Sequence, residues 1–196
     1  MTTAWVFPGQ GSQAIGMLAD LATEFSSVQE TFSEASAALG KDLWALAQQG
    51  PEAELSATEN TQPLLLAAGI AVWRTWQAQG GATPQFLAGH SLGEYTALVA
   101  AGVLSLADGV RLVAERGRLM QAAVPAGQGA MAAILGLDDA AVIAACAEAA
   151  QGEVVSAVNF NSPGQVVIAG STAAVERAMA VCKAAGIPIA GGHTID

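Results

Sequence analysis

The sequence predicts an α/β protein in two parts, and three observations carry that expectation. A G-x-S-x-G pentapeptide, Gly89-His90-Ser91-Leu92-Gly93, stands directly behind the short apolar run Phe86-Leu87-Ala88. Up to about residue 124, two short strand-like segments are set among several helical patterns. Beyond the loop-like break Pro125-Ala126-Gly127-Gln128-Gly129, the pattern becomes strand, helix, strand, strand, helix, strand.

In chain order, a first strand is expected at 5–7, followed by helical patterns at 14–25, 27–39 (stopped by Gly40) and 42–49 (stopped by Gly50). The next helix, 63–79, opens on a first-turn proline, Pro63, and closes at Gly80-Gly81. The second strand, 86–89, leads through the pentapeptide into a helix at 92–101. Ser105-Leu106-Ala107-Asp108 is a capping-box pattern with aspartate in place of glutamate, and it opens a helix running to 123. In the second part, strands are expected at 130–135, 154–159, 165–169 and 187–190, with helices at 139–150 and 172–185. That β-α-β-β-α-β order is the ferredoxin-like arrangement, which buries one sheet face under two helices. The expected division is a larger part at 1–126 and a smaller one at 127–196.

Composition narrows the function classes. A chain of 196 residues that is 53% hydrophobic has the material for a substantial core. Seven Lys and Arg against 17 Asp and Glu give a net charge of −10, which disfavours nucleic acid and anionic membranes as partners. Arg111, Arg116 and Arg118 nonetheless fall within one short stretch. Cys146 and Cys182 sit in Ala-rich helical patterns without C-x-x-C spacing or a histidine cluster, so both read as small buried apolar residues and no metal site is indicated. The N-terminus lacks a basic region ahead of its apolar residues, and the longest apolar run, between Leu64 and Trp73, is far too short to span a bilayer. A soluble cytoplasmic protein is the expectation.

The pentapeptide points to acyl transfer. A serine raised on a sharp strand-to-helix turn brings two chain segments together, leaving no room for side chains at positions 89 and 93. Ser91 then stands at a helix N-terminus, where the Leu92 amide faces a developing oxyanion and the helix dipole favours that charge. The second segment with chemical content is Phe7-Pro8-Gly9-Gln10-Gly11-Ser12-Gln13, a Gly-flanked loop at the carboxyl end of the first strand, where open α/β sheets commonly bind ligands. Gln10 is a candidate oxyanion donor, and an ordinary Gly-Pro turn is the plainer reading of the same loop. It lacks the Lys-Ser/Thr ending of a phosphate loop.

Taken together, residues 7–13 and Gly89-His90-Ser91-Leu92-Gly93-Glu94-Tyr95 resemble the malonyl-CoA:acyl carrier protein transacylase family of fatty acid and polyketide synthesis. Thr61-Gln62-Pro63, Glu115-Arg116-Gly117 with Met120-Gln121, and Asn161-Ser162-Pro163 with the run 165–170 match the same family in the same order. The resemblance implies an α/β-hydrolase-like larger subdomain, incomplete here, with an inserted ferredoxin-like smaller one. It implies Ser91 as nucleophile, the Leu92 amide and Gln10 as oxyanion donors, Gln62 as a substrate-binding residue, and Arg116 as the grip on a free malonyl carboxylate. Guanidinium and carboxylate pair through two parallel hydrogen bonds, whereas a neutral acetyl group would leave the arginine unpaired. The implied substrates are malonyl-CoA and the phosphopantetheine thiol of acyl carrier protein, reached in a ping-pong route that consumes no cofactor.

A serine nucleophile needs a base, and the chain holds only His90 and His193. His90 adjoins Ser91 and is expected to pack or hydrogen-bond beneath the elbow. His193, expected just after the last strand, stands where the family's catalytic histidine stands, in a shorter and different local sequence. Family members continue well beyond this point, so a truncated chain is expected, with exposed apolar surface on the larger part. The alternatives are a serine hydrolase or thioesterase, which would need neither Arg116 nor a carrier, and an inactive fragment that only binds carrier or acyl groups.

Overall fold

A computed structural model of the chain describes residues 2–125 and 127–184 and, as backbone, 189–194. It is an α/β structure that divides into two compact units, Met1–Ala122 and Ala123–Asp196.

The first unit is built around one long helix. Strand β1 (Ala4–Phe7) is followed by α1 (Ala19–Glu24), α2 (Ser26–Leu39), α3 (Leu43–Gln49), α4 (Glu52–Ser56) and α5 (Thr58–Ala78); β2 (Phe86–Gly89), α6 (Leu92–Ala100) and α7 (Leu106–Ala123) complete it. Helix α5 is apolar on nearly every face from Leu64 to Trp73 and is buried accordingly, packing with Phe32, Leu43, Leu92, Val110 and Val113 into one core. Strands β1 and β2 pair in parallel, Ala4 opposite Phe86 and Phe7 opposite Gly89. One face of this two-stranded sheet sets Phe7 onto Trp73 and Ala97, with Trp5 edge-on to Trp73 at 5.2 Å. The other face, Ala4, Val6, Phe86 and Ala88, is exposed, Val6 by 68% and Phe86 by 61%. Apolar surface was expected on this part, and this face supplies a portion of it.

Three sequence expectations are corrected here. Helix α1 begins only at Ala19, because Leu18 is left-handed at φ 62° and interrupts the pattern expected from residue 14. Segment α4 was not foreseen. Helix α5 starts five residues ahead of Pro63, so the proline lies inside the helix rather than in its first turn. The added turn, Thr58-Glu59-Asn60-Thr61-Gln62, carries no apolar periodicity. Asn60, Thr61 and Gln62 are instead buried against specific partners: Asn60 accepts from Lys41 Nζ and donates to the Glu54 carbonyl, and Thr61 Oγ1 donates to the Leu55 carbonyl.

The second unit comprises β3 (Gly129–Leu135), α8 (Asp139–Ala150), β4 (Val155–Ser162), β5 (Gln165–Ser171), α9 (Thr172–Ala184) and β6 (Ile189–Thr194). The strands form one sheet in the order β4-β5-β3-β6, antiparallel throughout. Ala132, Ile134, Val155, Val166 and Ile168 meet Val142, Cys146, Val175 and Cys182 of the two helices in a separate core. Both cysteines are buried and free. Helix α8 starts where Asp138 accepts the Ala141 N–H at 2.7 Å, a side-chain N-cap. Of the last expected strand, 187 and 188 lie outside the described residues; β6 continues past 190, and His193 stands within it, opposite Met131, rather than after it. Gly191-Gly192 reads as a strand end in sequence, but the pairing skips Gly191, whose extra residue is taken up in a bulge between Ala132 and Ala133.

Candidate functional site

The pentapeptide forms a nucleophile elbow at the carboxyl end of β2. Ser91 has φ 55° and ψ −112°, a conformation that few residues with side chains adopt. Its two glycines are sterically required: a Cβ on Gly89 would lie 2.0 Å from the Gly93 carbonyl carbon, and one on Gly93 would lie 2.2 Å from the Phe7 carbonyl oxygen. The elbow therefore rests directly on the end of β1. Ser91 is exposed, and Leu92, the first residue of α6, has an N–H with no acceptor inside the helix. Glu94 occupies the same first turn.

That tight fit excludes His90 from the role expected of it. Gly93 and the β1 backbone fill the space beneath the turn, so the imidazole is exposed, and its side chain makes no hydrogen bond among the described residues.

Arg116 reaches the elbow from α7. The capping pattern at the start of this helix holds in half: Ser105 Oγ accepts the Asp108 N–H at 3.0 Å, and the same hydroxyl donates to the Asp108 carboxylate at 2.7 Å. About three turns on, Gly117 lets α7 cross the first turn of α5, because a Cβ there would lie 2.6 Å from Glu59 Cα. The crossing sets Arg116 beside Gln62. Its Nη1 donates to Gln62 Oε1 at 2.7 Å, its Nη2 donates to Ser91 Oγ at 2.9 Å, and its guanidinium carbon lies 5.5 Å from the centre of the Tyr95 ring. Gln62 is fully buried, and its Nε2 donates to Met120 Sδ at 3.3 Å. Ser91, Leu92, Arg116 and Gln62 thus come together.

Gln10 is placed differently. Its side-chain amide donates to Thr58 Oγ1 at 3.2 Å, while its loop stays against the elbow, where a Cβ on Gly9 would lie 3.2 Å from the His90 carbonyl oxygen. His193 belongs to the second unit, and its side chain lies outside the described residues. Sequence reasoning missed Tyr95, Met120 and Thr58 as neighbours of these groups. Helical spacing carries a signal for two of them, since Tyr95 and Met120 follow Ser91 and Arg116 by four residues, one turn along α6 and α7.

The remaining cations of α7 are engaged elsewhere. Arg118 pairs bidentately with Glu115 at 2.6 and 2.7 Å, which raises the guanidinium pKa and holds the Glu115 carboxyl below its usual range. Arg111 donates to the Ala38 carbonyl and lies 3.5 Å from Asp108. Arg111, Glu115 and Arg118 line, with Lys41, Glu59 and Asn60, an open cleft of about 410 Å³ that holds three cations against two carboxylates and contains no serine, cysteine or histidine. Among the described residues, no group of three His, Cys, Asp or Glu gathers to hold a metal, and no helix is long and apolar enough to cross a membrane.

The site thus sets a serine at a strained elbow with a guanidinium at its oxygen, and comparisons with known proteins show what the chain is similar to. The chain is 68% identical over 183 residues to the malonyl CoA-acyl carrier protein transacylase of Escherichia coli K12, an alignment covering 93% of this chain and 59% of that protein. It is 47% identical over 181 residues to the protein of the same name from Bacillus subtilis, covering 92% of this chain and 57% of the relative. The chain thus spans somewhat under three fifths of the length of these curated relatives. Its fold superposes with a TM-score of 0.92 on an acyl carrier protein S-malonyltransferase from Vibrio cholerae, at 61% identity, covering 98% of this chain and 62% of that one. It also superposes, with TM-score 0.92 and 60% identity, on a malonyl-transacylase solved in complex with a type II polyketide acyl-carrier protein, covering 100% of this chain and 62% of that one. The family model for the acyl transferase domain matches residues 4–191, and the chain belongs to that family.

Proposed function

We propose that the chain carries the acylation site of a malonyl-CoA:acyl carrier protein transacylase acting in fatty acid biosynthesis. The observation that carries this reading is the contact of Arg116 with Ser91, 2.9 Å from guanidinium to nucleophile, with Gln62 and Tyr95 supporting the arginine from the far side. A carboxylate on the acyl group would find its partner within reach of the same serine.

In the proposed reaction, Ser91 Oγ attacks the malonyl thioester carbon, the C–S bond breaks, and the hydroxyl proton leaves with the coenzyme A thiol. The Leu92 N–H and Gln10 serve as oxyanion donors, the first because it opens α6 with no helical acceptor. Gln62 acts on the substrate through Arg116: a fully buried amide bonded to the guanidinium is a positioning residue. His193 is the proposed base, on chain order alone. The phosphopantetheine thiol of acyl carrier protein then takes the acyl group from the serine. Acyl and proton move between sulfur and oxygen without net oxidation, so no cofactor is required. The relative solved with a carrier protein supports that partner.

The parallel β1–β2 pair with its elbow supports reading residues 1–126 as an α/β-hydrolase-like subdomain, and the β4-β5-β3-β6 order supports a ferredoxin-like one at 127–196. We place the protein in the cytoplasm, with malonyl-CoA as its substrate.

Intact-mass spectrometry after brief exposure to malonyl-CoA tests the proposal. The expected result is a single malonyl adduct that is absent from Ser91→Ala. An unmodified chain, or an adduct that survives in Ser91→Ala, would refute the assignment for this chain.

A further inference from the structure

We propose that Arg116 also masks the nucleophile, and that a carboxylate on the acyl group removes the mask, so that one arginine selects the substrate twice. The inference extends the reading of Arg116 as a carboxylate grip and rests on it.

The argument begins with what a guanidinium can do. It has donors only, so the 2.9 Å contact between Nη2 and Ser91 Oγ uses a lone pair of the serine oxygen. Attack on a carbonyl needs electron density from that same oxygen. A hydroxyl holding a charged donor gives up nucleophilicity until the contact breaks.

The surroundings of Arg116 allow the contact to break alone. Nη1 is anchored 2.7 Å from the oxygen of Gln62, a side chain with no exposed surface whose other end is engaged by Met120 Sδ. The Tyr95 ring, 5.5 Å from the guanidinium carbon, supports the charge without using an N–H. Moving the head off Ser91 therefore gives up one hydrogen bond to a neutral hydroxyl. A carboxylate is the stronger acceptor and takes two N–H groups at once, so it displaces the hydroxyl. An acetyl group has nothing comparable to offer and meets a serine still engaged. The first selection is thus affinity for the carboxylate, and the second is release of the oxygen that reacts.

As the mask lifts, the chemistry is the acyl transfer already given: Oγ–C forms, C–S breaks, and the hydroxyl proton leaves with the thiol. The opposite effect is also physically available, because a nearby cation stabilises an alkoxide. In that case Arg116 would activate Ser91 rather than mask it, and the two roles predict opposite signs.

Diisopropyl fluorophosphate separates them. It is uncharged and phosphorylates serine with formation of Oγ–P, loss of fluoride and loss of the hydroxyl proton. The rate of labelling at Ser91 is followed by intact mass in the wild-type chain and in Arg116→Ala, each with and without formate, with Ser91→Ala as background. Masking predicts that Arg116→Ala labels about tenfold faster or more, the size expected from one hydrogen bond to a charged group. Formate, a free carboxylate small enough to leave the serine open, should speed the wild-type chain and leave the variant unchanged. The formate arm uses the unaltered protein and so does not depend on the variant's folding.

Labelling of the variant at or below the wild-type rate, including none in either, overturns the proposal, as does a wild-type rate indifferent to formate. Faster variant labelling without a malonyl adduct would remove the malonyl reading and leave the mask standing. A malonyl adduct without acceleration would remove the mask alone.

Discussion

Ser91 holds a backbone conformation that costs about 1–3 kcal/mol for a residue with a side chain, and the closeness of Gly93 to β1 keeps it there. Gly93→Ala would drive a methyl group into the Phe7 carbonyl, a backbone atom that cannot give way cheaply. We expect destabilisation of about 2 kcal/mol or more together with loss of Ser91 labelling, read by chemical denaturation and intact mass. A variant as stable and as reactive as the parent would show that the elbow is less constrained than its geometry demands. The nucleophile and its glycines were legible in the sequence because their chemistry fixes their spacing. Arg116 was legible only through its neighbours Glu115 and Gly117 in a family pattern, since a lone arginine carries no signal of what it faces. The Thr58 partner of the Gln10 amide and the exposed place of His90 were not legible for a common reason: sequence gives a side chain's position along the chain, while Thr58 and the filled space under the turn decide where it points.

Helix α7 meets the first turn of α5 at Gly117, and that crossing is what delivers Arg116 to Gln62. Gly117→Ala is therefore expected to push the helices apart and loosen Arg116. Malonyl labelling should fall at least tenfold, while diisopropyl fluorophosphate still modifies Ser91 at the parent rate or faster. Equal loss with both reagents would mean that the substitution disturbs the elbow itself. The first turn of α5 was the least legible element of the site, because helices are recognised by apolar periodicity and this turn is stabilised by Asn60, Thr61 and Gln62 finding distant polar partners. Helices α8 and α9 were readable nearly to the residue, since both are Ala-rich runs between strand patterns and α8 opens on an Asp cap. These two helices bury Cys146 and Cys182, and burial pushes both thiols above the ordinary thiol range, the neighbouring thiol adding to the effect at Cys146. Above the ordinary thiol pKa of about 8.5, the unfolded chain releases protons that the native state retains. Stability should be level with respect to these groups below that pH and decline above it. Urea midpoints at pH 7.5 and 9.5 should thus fall further in the wild-type chain than in a Cys146→Ala, Cys182→Ala double variant, and equal falls would exclude the thiols as the cause.

Each unit has its own main core, the first with a smaller cluster of Phe7, Trp73 and Ala97 beside it, and each sheet packs helices on one face. The four-stranded sheet is closed on one face by α8 and α9. The parallel pair β1–β2 is covered on one face only, although parallel strands are normally buried on both. Concentration-dependent self-association through Val6 and Phe86 is expected, and a Val6→Thr, Phe86→Thr variant should shift sedimentation towards the monomer; a monodisperse parent chain would contradict this. The two-part organisation could be read from the change in element order near residue 125, whereas the bulge that carries β6 past Gly191 could not, since it depends on pairing with β3. The β1–β2 pairing has a further consequence for the order in which the protein folds. Thr3 donates its backbone N–H to the Gln85 side-chain oxygen across 82 residues, a long loop to close, so we expect these strands to meet after α1–α5 have condensed between them. The elbow is then expected among the last features of its unit to form. During refolding, helical signal should return before serine reactivity, and a chain halted just short of the native state would look well structured while its nucleophile remained inert.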